Sequence, residues 1–296
     1  MNEQQITLHD GRTLSYAEYG DPAGVPVILF HGLGSSKYFH PLDEQALMAQ
    51  NVHLIVPNRP GVGASDRKAK HIVEEYAEDM AALDKTLHLG RFIALGWSVG
   101  AAYALACAYA LPTHVSTVGI VGGMAPLSGP DAPHHLPGPW NRIALMTHYA
   151  PWMLRWSFRQ QSQQMTADAD AALKKSITEM STPDRALMAQ PEVFQMMRTA
   201  AVEGYAHQGA GVIDDVLALA QPWGFALNEV QQRVMLWYGS EDKTWPASVG
   251  QHLADRLLDA NLTVIDGAGQ LLILSHWQSI MEGLLEHSAT TTPAYV

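Results

Sequence analysis

Across residues 6–19 polar and apolar positions alternate around Asp10-Gly11, a dipeptide suited to a tight turn, so the spacing predicts two antiparallel strands. Beyond Gly20-Asp21-Pro22 the pattern changes to continuous apolar runs at 25–30, 52–56, 92–95, 115–121, 234–238 and 262–265, each bounded by Gly, Pro or Asn. Runs of that kind read as strands buried on both faces, which is the signature of a parallel sheet. Between them lie helical patterns. Ile72, Tyr76, Met80, Leu83 and Leu87 recur at spacings of four and three and share one face, residues 99–111 are Ala-rich and apolar nearly all round until Pro112, and Trp277, Ile280, Met281, Leu284 and Leu285 form a final stripe. Strands alternating with helices predict a doubly wound α/β fold. The alternation stops from about residue 124 to 225, where helical patterns follow a proline-rich entry carrying Pro126, Pro130, Pro133, Pro137 and Pro139. Those prolines favour an extended, stiff connection into a helical insertion.

Composition narrows the classes. With 47% apolar and 16% charged residues among 296, against roughly 25% charged in an average chain, disorder is excluded and one large core is expected. Eighteen Lys and Arg against 29 Asp and Glu give a net charge of −11, which repels phosphate backbones and anionic headgroups, so no nucleic acid partner is expected. Cys107 is the single cysteine and sits in an apolar stretch, as an inert core thiol would. An N-terminal stretch without a basic-then-apolar layout adds the expectation of a cytoplasmic protein. No apolar run approaches the ~18 residues of a membrane span. The insertion holds eight of the 13 Met and four of the eight Trp, which suits a helical core and equally an adaptable pocket wall; the final residues from Ser288 read as a frayed tail.

The clearest chemical signal is Gly96-Trp97-Ser98-Val99-Gly100, placed where an apolar strand gives way to an apolar helix. A turn that sharp holds its central residue in a strained conformation and exposes Ser98 at the sheet edge, with helix N–H groups behind it; a plain Gly-Ser turn is the alternative. His31-Gly32-Leu33-Gly34 follows the run at 25–30, where the N–H of Leu33, together with that of Val99, would form a two-donor oxyanion hole. Trp97 is placed to line an acyl pocket or to pack beneath the insertion. There is no HExxH or Cys/His ligand spacing, no Gly-x-Gly-x-x-Gly fingerprint and no phosphate loop, so neither metal nor cofactor is expected.

On these motifs the chain resembles the α/β-hydrolase family over nearly its whole length. HGLGSS, RPGVGASD (59–66), GWSVG and GSEDKTWP (239–246) occur in family order. The resemblance implies Ser98 as nucleophile, Asp242 as triad acid, a core of residues 1–123 and 226–296, and a helical cap of residues 124–225 over the site, with PWGFALNEV as the return from it. Dehalogenase and epoxide hydrolase relatives carry Asp where this chain has Ser98, so ester or related acyl chemistry is implied, with a small apolar acyl substrate or ligand. The family's general base follows the last strand in a Gly-x-Gly-His pattern, and here the segment reads Gly267-Ala268-Gly269-Gln270. A carboxamide has no useful basicity near neutral pH, although its NH₂ and carbonyl suit a bridge between Asp242 and Ser98. His276, about 240° further round if residue 271 begins a helix, His31 and His252 do not come from the expected place. The expectation is therefore a serine hydrolase scaffold that is inactive or severely slowed, the alternative being a non-catalytic protein that binds or senses a small ligand.

Overall fold

In the computed structural model, which describes residues 2–68 and 70–290, the alternating segment forms the antiparallel strands β1 (Asn2–Thr7) and β2 (Thr13–Gly20), with Thr7 opposite Thr13. Between them Leu8 N–H donates to the Arg12 carbonyl at 2.7 Å and Gly11 takes a φ of +86°, closing the hairpin. The apolar runs become β3 (Val25–Phe30), β4 (Val52–Pro57), β5 (Phe92–Trp97), β6 (Val115–Val121), β7 (Val234–Gly239) and β8 (Ala260–Ile265). All eight join one sheet in the order β1-β2-β4-β3-β5-β6-β7-β8. It is parallel from β4 to β8 and antiparallel where β2 meets β1 and β4.

The helices are α1 (Glu44–Ala49), α2 (Tyr76–Leu87), α3 (Gly100–Ala110), α4 (Trp140–Tyr149), α5 (Pro151–Ala167), α6 (Ala169–Ile177), α7 (Thr182–Met188), α8 (Pro191–Gly204), α9 (Ala206–Leu219), α10 (Ala247–Arg256), α11 (Leu272–Ser275) and α12 (Trp277–Thr290). Successive strand residues point to opposite layers. Ile28, Phe30, Ala94 and Leu236 pack with side chains of α2, α3 and α10, while Val27, Leu29, Leu95 and Trp237 pack with those of α1, α11 and α12. Such double coverage explains why the inner strands read as largely apolar runs.

Three sequence expectations change. The run at 262–265 is not buried on both faces: β8 pairs with β7 alone, at the sheet edge, and Val264 is 48% exposed. Helix α2 begins at Tyr76, so Ile72 lies in the preceding turns and Val73 takes the buried place. Residues 288–290 continue α12 instead of fraying; the rest of the tail expectation lies outside the described residues.

Between β6 and β7 no strand occurs, and α4 to α9 occupy the stretch. Local chemistry sets their starts: Pro151 and Pro191 open α5 and α8, where a missing N–H is harmless, and the Asp168 carboxylate caps α6 by accepting from Ala171 N–H at 2.9 Å. The insertion has a small core of its own, in which Leu154 and Phe158 meet Val212, Ile213 and Val216. It is tied to the sheet layer by ion pairs of Arg59 with Asp215, Arg67 with Asp214 and Lys37 with Glu203. Among the described residues, no helix is long and apolar enough to cross a membrane.

Candidate active site

Ser98 connects β5 to α3 with a φ of +56°. A non-glycine residue in that region is strained by about 1–2 kcal/mol, so the neighbours must hold it there. Ser98 N–H donates to the Val121 carbonyl at 3.1 Å, and the Ser98 carbonyl accepts from Met124 N–H at 3.1 Å, both from the adjoining strand and its exit. The flanking glycines are sterically required: a Cβ on Gly100 would stand 1.9 Å from the Phe30 carbonyl oxygen, and one on Gly96 would stand 2.6 Å from the Gly100 oxygen. The serine is not exposed as the sequence suggests: it is buried, 8% exposed, at a cavity lined by the inserted helices, and its hydroxyl makes no hydrogen bond to the described residues.

That cavity, about 420 Å³, is lined by Leu33, Trp97, Ser98, Trp140, Lys243 and Gln270 among others. A second space of about 390 Å³ shares Leu33, Trp97, Glu179, Met180 and Met197 with it and runs on under the insertion to Gln161, Met165, Leu173 and Tyr205. Trp97 lines the two cavities, stacks on Phe39 at 4.1 Å between ring centroids, and donates its indole N–H to the Gln270 carbonyl at 2.9 Å. The backbone N–H groups of Leu33 and Val99 have no acceptor among the described residues.

Asp242 lies in the loop after β7. Its Oδ1 accepts from Thr244 N–H at 2.7 Å and Trp245 N–H at 2.9 Å, while the buried Oδ2 has no partner. Burial pushes its carboxyl up to about 7; the two N–H groups pull the other way, and nearby Asp184 adds to the rise. Gln270 sits in the loop after β8. Its Nε2 donates to the Gly122 carbonyl at 3.0 Å, and its buried Oε1 has no partner. The two side chains crowd one point, since a Cβ on Gly122 would lie 3.1 Å from Asp242 Oδ2 and from both amide atoms of Gln270. The bridge from Asp242 through Gln270 to Ser98 is nonetheless not formed: the amide Nε2 donates to the Gly122 carbonyl, and neither Asp242 Oδ2 nor Gln270 Oε1 has a partner.

Asp184, on α7, escaped the sequence reading. Its Oδ2 accepts from Gln270 N–H at 3.0 Å and from the Ser181 hydroxyl at 2.7 Å, and its Oδ1 accepts from Leu271 N–H at 2.8 Å. Ser181-x-x-Asp184 reads locally as a helix start, and nothing in that spacing reveals a carboxylate clamping a loop 86 residues away. Arg59 was likewise seen only as part of a motif. It is fully buried, pairs with Asp215 at 2.6 Å, and donates to the carbonyls of His31 at 2.6 Å and Gly32 at 3.0 Å, which fixes the loop presenting Leu33. No histidine lines either cavity. His31 is buried with its Nδ1 3.0 Å from the Gly32 carbonyl, and burial and the Arg59 charge hold it neutral; His252 Nε2 meets the Asp131 carbonyl, and His276 Nδ1 meets the Ser275 hydroxyl.

A sheet of this order, with a left-handed serine at the turn after β5 and helices inserted between β6 and β7, is the α/β-hydrolase fold. The chain belongs to the alpha/beta hydrolase family, whose model matches residues 27–282. A non-heme chloroperoxidase of Streptomyces lividans is 31% identical over 126 residues, covering 41% of this chain and 45% of that protein, so less than half of that relative is matched. The pimeloyl-[acyl-carrier protein] methyl ester esterase of Neisseria meningitidis is 25% identical over 280 residues, covering 90% of this chain and 80% of that protein. Among solved structures, an esterase from Exiguobacterium antarcticum superposes with a TM-score of 0.71 at 18% identity, covering 97% of this chain and 100% of the other, a likeness of fold.

Proposed function

We propose that this chain is a carboxylic-ester hydrolase scaffold in which Ser98 is the nucleophile and lacks a proton acceptor. The observation that carries the reading is that Ser98 and Gln270 open on one cavity that no histidine lines. In this reading residues 124–225 are the cap, the Leu33 and Val99 amides hold the oxyanion, and Trp97 lines the site for a small apolar acyl group. In this reading Asp242 is the acid that would orient a base. Gln270 takes the base position, and loss of a triad base typically lowers turnover by about 10⁶-fold, while binding and oxyanion stabilisation leave roughly 10³- to 10⁴-fold over water. Similarity to a methyl ester esterase over nine-tenths of the chain supports an ester as the substrate class.

The test is Gln270→His assayed on acyl esters of graded chain length beside the unaltered chain. A gain of several orders of magnitude in kcat is expected, with slow fluorophosphonate labelling of Ser98 becoming fast. Rapid labelling of the unaltered chain would sink the reading, because it would mean that the hydroxyl is already activated. The unpartnered Asp242 Oδ2 favours a second reading, a ligand-binding protein on the same scaffold. A silent His variant that still binds an acyl ester tightly would select it.

A further inference from the structure

The helix pair α4 and α5 carries a surface that the hydrolytic reading leaves unused. Leu145, Tyr149, Trp152, Met153 and Trp156 are exposed, with Tyr149 at 77%, Trp152 at 69% and Trp156 at 63%. At 100° per residue, Trp152, Trp156 and Met153 fall within an arc of about 100° on α5, and the buried Leu154 and Phe158 fall on the opposite side, against α9. Scattered apolar side chains at a surface need no explanation, but two Trp and a Met on one face of α5, with an exposed Leu and Tyr one turn apart on the adjoining α4, are more than scatter.

The charge of this patch opposes that of the chain. Residues 140–167 contain Arg142, Arg155 and Arg159 and no Asp or Glu, within a chain of net charge −11. Arg155 and Arg159 flank the Trp face within about 60° of Trp152. None of the three arginines forms an ion pair among the described residues. The acids nearby are distant or engaged: Asp168 stands past the end of α5, about 24 Å along the axis from Trp152, Asp170 pairs with Arg198, and Asp214 and Asp215 on α9 pair with Arg67 and Arg59.

We propose that this face docks the protein on an anionic lipid surface, with Trp152, Trp156 and Tyr149 seated at headgroup level and Arg142, Arg155 and Arg159 against the lipid phosphates. Trp and Tyr favour the membrane–water interface because one end of each ring is apolar and the other polar, and a helix with an aromatic face flanked by arginines lies in the interface plane. The overall negative charge argues against such a partner only if the whole surface is felt. Screening over about 8 Å at physiological ionic strength leaves the sign of the contact zone to decide. The inner side of α5, at Gln161, Gln164 and Met165, lines the second cavity, so docking sets that cavity beside the lipid. This surface is independent of whether Ser98 turns over.

The test is sedimentation of the full chain with sucrose-loaded vesicles of phosphatidylcholine containing phosphatidylglycerol, compared with phosphatidylcholine alone. Pelleting with the anionic vesicles, a blue shift in tryptophan emission and weakening with added salt are expected. Trp152→Ser with Trp156→Ser should weaken binding at least about ten-fold. Arg142→Glu with Arg159→Glu should remove the preference for phosphatidylglycerol, since each basic side chain at such a surface strengthens binding about five-fold. All four positions are exposed, and far-UV circular dichroism checks that the variants fold. Absence of pelleting, or equal pelleting by folded variants, overturns the proposal. So does a concentration-dependent dimer that the Trp variant dissociates while vesicles stay unbound, which would assign the face to a second copy. Quenching of tryptophan by brominated lipids in the unaltered chain gives a measure free of any substitution, and no quenching refutes docking.

Discussion

At Ser98 the backbone works against its own residue type, and the strain is held by hydrogen bonds to Val121 and from Met124. Ser98→Gly should therefore raise stability by about 0.5–1 kcal/mol in urea denaturation, since glycine adopts a positive φ without the Cβ clash. Gly100→Ala goes the other way: its methyl would overlap the Phe30 carbonyl, and a loss of at least about 3 kcal/mol, or no folded protein, is expected from the same measurement. Asp242 makes a pH prediction. Its carboxyl is raised to about 7 from an ordinary value of 3.8, so the folded state binds a proton that the unfolded state has released between those limits. Stability should accordingly fall as pH rises from about 4 to 7 and level off above, by an amount on the order of 4 kcal/mol. Asp242→Asn should flatten that slope and exceed the unaltered chain in melting temperature at pH 8, with little difference at pH 4; an unchanged slope would refute the assignment.

Among the elements, those set by neighbours along the chain were legible and those set by partners across it were not. The inner strands β3 to β7 announced themselves because coverage by helices on both faces makes most positions apolar, with His53 in β4 and Ser116 and Thr117 in β6 as exceptions. Strand β8 was found but misread as covered, since a short apolar run looks alike at an edge and in the middle of a sheet. The loops of the site depend on elements remote in sequence. Asp184 on α7 clamps the N–H groups of Gln270 and Leu271, so Asp184→Asn should speed hydrogen exchange at both amides and cost about 1–3 kcal/mol, because an amide cannot accept all three donors that the carboxylate does. Arg59 and Asp215 join α9 to the loop bearing Leu33. Removing one partner as Asp215→Leu leaves a buried guanidinium unpaired and should cost about 3–5 kcal/mol, whereas Arg59→Met in the same chain should recover much of it. A double-mutant cycle in denaturant measures the coupling.

For the molecule as a whole, those ion pairs bind insertion and sheet layer at three places, one of them fully buried, so heating should unfold both together. Far-UV and near-UV circular dichroism should report one coincident transition, with an earlier loss of the near-UV signal marking an insertion that melts alone. Net charge is a sum at this scale: −11 describes the whole chain, while α4 and α5 carry the opposite sign. Periodicity, turn chemistry and the Gly-x-Ser-x-Gly elbow are short-range properties, written in residues a few positions apart, and they were enough to lay out the sheet, the inserted helices and the serine at the strand-to-helix turn, though not its burial. The Gln270 amide turned onto the Gly122 carbonyl, the bare oxygen of Asp242 and the clamp of Asp184 arise where segments far apart in the chain meet. There, burial and competition for a limited set of donors choose each partner, and no local pattern encodes that choice.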